Sequence, residues 1–119
     1  MLLALLSLLA LAGTAGAGGV PPFPRLPGAW SHADINVTIK KKPHTLTLDR
    51  GKIMQVSETQ LTLRERAGSS VTVAIVPLTP SAIVNINGSS ATIYFLRRGM
   101  NAQTMRIDGG PAVRIRATT

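Results

Sequence analysis

The sequence predicts an all-β fold: a small antiparallel barrel of six or seven short strands, preceded by an N-terminal signal helix and a linker. Three observations carry this expectation. From residue 35 onward the apolar residues recur with a period of two, not 3.6. Threonine and β-branched residues dominate those runs, which suits a pleated, half-buried surface. Turn residues separate the runs at short and regular spacing. A closed barrel is expected over an open sheet because so short a chain gains from removing strand edges.

The elements follow in chain order. Residues 2 to 12 form an uncharged apolar run of leucine, alanine and one serine. A spanning helix needs about twenty apolar residues, and this run is too short. Ala15, Gly16 and Ala17 have the small-x-small form of a cleavage site. Residues 1–17 therefore read as a cleaved signal peptide, which directs the protein to the secreted space or the cell envelope. The cut leaves 119 − 17 = 102 residues and no transmembrane span in the mature chain. No Lys or Arg precedes the apolar run, so either the signal is atypical or the true start lies upstream of Met1. Pro21, Pro22, Pro24 and Pro27 then remove backbone donors and favour extended polyproline conformation. Residues 18–33 read as a Pro/Gly-rich linker and 34–119 as the β-domain.

Within that domain Ile35, Val37 and Ile39 alternate with Asn36, Thr38 and Lys40, and Leu46 and Leu48 with Thr45 and Thr47. A strand is expected near Gly51–Val56, then Leu61 and Leu63 alternate with Thr62 and Arg64. Val71, Val73 and Ile75 mark the next strand, and Val113 and Ile115 the last. Each run places its apolar side chains on one face. Between them lie Ser57-Glu58-Thr59, Arg66-Ala67-Gly68-Ser69, Asn87-Gly88 and Asp108-Gly109-Gly110-Pro111. Asn87-Gly88 is the strongest of these turn signals. The exception is 89–96, where one helical turn is expected, capped by Ser89 or Ser90.

Charge is scarce and one-sided. Charged residues make up 15%, with thirteen Lys and Arg against five Asp and Glu, for a net +8. Such a surplus on a small body attracts anionic partners. No cysteine is present, which excludes disulfides, thiolate nucleophiles, cysteine-ligated zinc and lipid attachment through cysteine.

Several local motifs carry a resemblance. They are Asp49-Arg50-Gly51-Lys52-Ile53, Leu61 to Arg66 with Gly68, Val71-Thr72-Val73, Asn87-Gly88, Leu96 to Met100, and Asp108-Gly109 with Pro111-Ala112. In this order they resemble exported bacterial domains of a family of unknown function, over about residues 44 to 118. The chain departs from that pattern at Ala67, where relatives carry an acidic residue before the glycine. The resemblance implies export and a small oligonucleotide-binding-like or SH3-like β-barrel. It implies no catalytic or binding residue.

Candidate chemistry is sparse. His32-Ala33-Asp34 places two ligand types on one side of an extended segment, but a zinc site needs three or four convergent ligands and no recognised spacing supplies the rest. His44 follows Pro43 at a strand start, where a solvent-exposed ring is expected. No serine lies in a nucleophile elbow, and no phosphate-binding glycine loop appears. The acids Asp34, Asp49, Glu58, Glu65 and Asp108 form no evident catalytic pair, and Glu65 between Arg64 and Arg66 reads as an ion-pair partner. No catalytic, metal or cofactor site is expected, and the protein reads as a non-enzyme. Asn36-Val37-Thr38 and Asn87-Gly88-Ser89 match the glycosylation pattern, a match short enough to arise by chance.

The basic residues remain as candidates for binding anions. Lys40, Lys41 and Lys42 form the densest run, and Arg97 and Arg98 precede Gly99. Arg64 and Arg66 share a face of one strand, and Arg114 and Arg116 a face of another. If these faces join they form a groove for an anionic chain; if not, they are solvated faces that protect strand edges. Two readings follow. One is a non-catalytic module of the envelope that binds an anionic polymer, a membrane surface or a partner protein. The other is an oligonucleotide-binding-type domain for single-stranded nucleic acid. The second is disfavoured by the few aromatics, since Phe23 and Trp30 fall in or beside the linker and only Tyr94 and Phe95 remain.

Overall fold

The computed structural model describes residues 19–119; the expected signal peptide lies outside them. The fold is all-β and mostly antiparallel. The strands are β1 (His32–Ile39), β2 (Lys42–Val56), β3 (Gln60–Ala67), β4 (Ser70–Pro77), β5 (Ile83–Ile86), β6 (Ser89–Ala91), β7 (Asn101–Ile107) and β8 (Ala112–Thr118). A 3₁₀ turn at Ile93–Phe95 is the only helical element among the described residues. It falls in the segment expected to be helical, but only after Ser89–Ala91 has paired as a strand, and no side chain caps it.

The expected barrel does not close. Eight strands form one open sheet in the order β4-β3-β2-β7-β8-β5-β6, with β1 also paired to β2. The reason lies in β2, which merges two expected strands into one of 15 residues. Its first part pairs with β1 and its last part with β3 along the same edge, while β7 pairs with its middle along the other. That edge of β2 is thus shared end to end, the sheet forks instead of rolling up, and β4 and β6 remain as edges. The parallel pairing of β5 with β8 is the one departure from antiparallel order.

The sheet is buried on opposite faces at its two ends. Strand alternation puts Leu46, Leu48, Arg50 and Lys52 of β2 on one side, called here the front, and Asp49, Gly51 and Ile53 on the back. At the β1 end the front is apolar. Ile35, Val37, Ile39, Leu46, Leu48 and Met105 form a cluster there, against which Val20, Phe23, Leu26 and Trp30 pack. The proline-rich segment is therefore a strap laid on the sheet, extended but unpaired, with Pro21 fully buried. At the other end the back is apolar. Ile53, Leu61, Leu63, Val76 and Ile115 pack there beneath Leu78, Ile93 and Leu96. On β4 the expectation fails: Val71, Val73 and Ile75 face the front and are exposed, while Ala74 and Val76 turn to the core. Both faces of this strand are apolar, so alternation alone did not distinguish them.

The Asn87-Gly88 hairpin turns where the sequence announced it, whereas the turn between β1 and β2 was not announced. Asn87 and Gly88 join β5 to β6 with φ of 51° and 86°, the left-handed pair that a two-residue loop requires. Lys40 and Lys41 do the same between β1 and β2 at φ 51° and 67°, without the residue types suited to it.

Candidate functional site

The front of the sheet beside the strap gathers the basic residues. Register places Arg64, Lys52 and Asn101 side by side across β3, β2 and β7. The neighbouring row runs Arg50, Gln103, Arg116 and Asn85 across β2, β7, β8 and β5. Arg66 stands two residues along from Arg64 and Arg114 two along from Arg116, on the same side. A groove of 540 Å³ between strap and β3 is lined by Trp30, Arg50, Lys52, Arg64, Arg66 and Asn101. A second of 390 Å³ continues past Trp30 and Arg50 to Gln103, Arg116 and Arg25.

These charges are not internally neutralised. Among the described residues, which include every Lys and Arg of the chain, no Lys or Arg has a carboxylate within 4.0 Å; the ion-pair geometries found all involve histidines. The expected pairing of Glu65 with Arg64 or Arg66 does not form, because strand alternation turns Glu65 to the back while both arginines face the front. Asp108 accepts a hydrogen bond from the backbone N–H of Thr45 and is also held by His44, and these interactions, the first foremost, lower its carboxyl below the usual range.

Not every arginine on this face is free. Arg114 donates from Nε to the carbonyl of Pro21 at 2.9 Å and from Nη2 to that of Val20 at 3.2 Å. Burial there lowers its pKa. Arg50 donates to the carbonyl of Trp30 at 2.9 Å and lies 4.2 Å over its ring. Arg116 donates to Gln103 at 2.9 Å and lies 5.0 Å from the Phe23 ring. Arg50 and Arg114 are thus clamps for the strap. Lys52, Arg64 and Arg66 are exposed and uncommitted, with Arg116 and Arg25 exposed beside them.

Of the sequence candidates, Arg64, Arg66, Arg114 and Arg116 come together on this face. Lys40, Lys41 and Lys42 lie at the far hairpin between β1 and β2. Arg97 and Arg98 follow the 3₁₀ turn, where Arg97 donates to the carbonyls of Tyr94 and Leu96 at 2.7 and 2.9 Å. Arg25, Arg50 and Lys52 complete the face and were missed. The period-two reading did hold a signal for Lys52, whose neighbour Ile53 is a core residue; nothing local marked Arg25.

No family model, curated protein or solved structure matches the chain. No helix among the described residues is long and apolar enough to cross a membrane.

Proposed function

We propose that this protein is a non-catalytic, exported binding module that holds a polyanionic chain along the front of its sheet. The observation that carries this is the row of unpaired cations from Arg66 through Arg64 and Lys52 to Arg116, set in a groove whose other wall is the strap. Gathering so many exposed like charges without internal counterions leaves an extended positive field, which an anionic polymer satisfies and a small anion does not. The groove is open and shallow in character, as a chain requires, and its polar floor of Asn101 and Gln103 can hydrogen-bond without selecting a base.

The single-stranded nucleic-acid reading ranks below it. Stacking needs free ring faces, and both aromatic rings at the groove are already covered on one side, Trp30 by Arg50 and Phe23 by Arg116. Tyr94 and Phe95 are exposed, but on the 3₁₀ turn away from the row.

The test compares long-chain polyphosphate with single-stranded DNA of matched charge, titrated from low to moderate salt. The expected outcome is similar affinity for both and a steep salt dependence. Lys52→Glu combined with Arg64→Glu should weaken binding at least tenfold, while Lys41→Glu with Lys42→Glu should weaken it only slightly. A strong preference for DNA, or equal loss with both double variants, would refute this reading.

A further inference from the structure

A separate cluster lies on the back of the sheet, where the start of β1 and the end of β3 meet along the shared edge of β2. Register sets His32 opposite Asp49, and Asp49 in turn opposite Thr104 of β7. Glu65 is on the same side, beyond the pair Lys52 and Arg64. One donor atom from each of His32, Asp49 and Glu65 lies within 4.8 Å of the other two. Asp49 and Glu65 are each 4% exposed, whereas the His32 side chain is half exposed and opens the cluster to solvent.

Two buried side-chain atoms among the described residues have no hydrogen-bond partner: Glu65 Oε2 and Thr104 Oγ1. Both belong to side chains that border Asp49 on this face. A buried polar atom without a partner is costly, so finding both orphans at one place calls for an occupant that satisfies them. Oxygen atoms with spare lone pairs beside an imidazole are the donor set of a cation, not of an anion or an apolar group.

We propose that His32, Asp49 and Glu65 bind a divalent transition-metal ion of the zinc class through one nitrogen and two carboxylate oxygens, with the Thr104 hydroxyl as an added oxygen donor. The spacing suits it. Donors around an ion at about 2.1 Å stand roughly 3–4 Å from one another, so the present cluster needs only small side-chain rotations. His32 Nδ1 now lies 2.7 Å from Asp49 Oδ1; on binding, that proton leaves to solvent and the nitrogen lone pair takes the ion. The opposite ring nitrogen is then the protonated one, and it faces Asp34 Oδ2 at 3.4 Å. Asp34 is itself fixed by a hydrogen bond from the Thr47 hydroxyl at 2.8 Å. A carboxylate behind a metal-bound imidazole is a recurrent means of holding its tautomer and orientation.

Charge agrees with the geometry. Burial first, and then the neighbouring Asp49 carboxylate, push Glu65 up to about 8. Hydrogen bonding to Asp49 raises His32. The Arg50 side chain faces the front and clamps Trp30, so it gives no compensating charge on this face. Once Glu65 and His32 release their protons, Asp49 and Glu65 carry two buried negative charges, which one divalent ion offsets. Protons and metal therefore compete, and affinity should rise between pH 6 and pH 8.5.

The experiment uses the tag-free chain, stripped with chelator and dialysed against micromolar zinc chloride at pH 8, with metal counted by mass spectrometry and affinity followed by calorimetry. The expected result is one zinc per chain, with tighter binding at pH 8.5 than at pH 6. His32→Ala should weaken binding about 100-fold, and Glu65→Gln about tenfold or more. His44→Ala, which removes the other histidine–carboxylate contact, should leave the stoichiometry at one. No zinc above the buffer blank in the native chain, or unchanged binding in His32→Ala, would overturn the proposal. Should Glu65→Gln fail to fold, the surface variant His32→Ala still decides.

Discussion

Replacing Glu65 with glutamine should flatten the pH dependence of stability, and the size of the effect follows from where this carboxyl sits. In an unfolded chain Glu65 ionises near 4.5, whereas burial and Asp49 hold it protonated to about 8 in the fold. Between those values the native state binds more protons than the unfolded one, so stability is greatest at the acid side and falls as pH rises. At about 1.4 kcal/mol per pH unit, the ideal loss is roughly 5 kcal/mol, and relaxation around the ionised group should trim it to roughly 3. His32 adds to the same trend: its raised pKa contributes stability that is present below 6.5 and lost as pH passes through the folded value. Asp108 acts with the opposite sign, but only in more acidic solution, because its pKa is lowered. Urea unfolding followed by Trp30, the single tryptophan, reads the effect directly. Without added metal, the native midpoint should drop by roughly 2 M urea between pH 5 and pH 9. Glu65→Gln keeps the side chain's shape and removes its titration, so its profile should be nearly flat and cross the native one near neutrality. A native profile with no fall over this range, or a Glu65→Gln profile with the same fall, would refute the argument.

Further outcomes are expected elsewhere in the fold. Gly51→Ala should destabilise by about 3 kcal/mol or more, because a Cβ there would overlap the backbone carbonyl of Arg64 on the paired strand; thermal unfolding should fall by more than about 10 °C. Lys40→Asn with Lys41→Gly should stabilise by about 1–2 kcal/mol, since both lysines hold left-handed backbone in a two-residue loop. Trp30→Ala should cost about 2 kcal/mol and release the strap, which limited proteolysis within residues 20–30 would report. Salt titration of single-stranded DNA binding should give a log–log slope near −3.5 if Arg25, Lys52, Arg64, Arg66 and Arg116 each neutralise one phosphate, and the Lys52→Glu, Arg64→Glu variant should flatten it by about 1.4 or more.

Much of the fold was legible because alternation and turn chemistry are local. Leu46, Leu48, Leu61, Leu63 and Ile115 are all fully buried, and Asn87-Gly88 forms the hairpin its type demands. What alternation does not encode is which face meets the core. Val71, Val73 and Ile75 share a face as expected, yet it is Val76 that is buried, with Ala74 partly buried beside it. Closure was not legible either, since it depends on β1 and β3 dividing one edge of β2, a long-range arrangement with no local mark. The basic face was half visible. Arg64, Arg66, Arg114 and Arg116 stood out by pattern, but their junction through Lys52 and Gln103 rests on pairings between distant strands. The strap was hidden because its prolines describe an extended backbone equally well whether it is free or packed. The cluster of His32, Asp49 and Glu65 was hidden for a related reason: its members are 16 and 17 residues apart in sequence (65 − 49 and 49 − 32) and meet only through two separate pairings with β2.

The central claim concerns where a polyanion sits, so the most direct measurement is a map of backbone and arginine side-chain resonances during titration with long-chain polyphosphate. Shifts should concentrate at Lys52, Arg64, Arg66, Gln103 and Arg116, with Trp30 moving alongside them and the hairpin of Lys40 to Lys42 nearly still. Shifts centred on that hairpin or on Arg97 and Arg98, or spread evenly over every cation, would contradict the account.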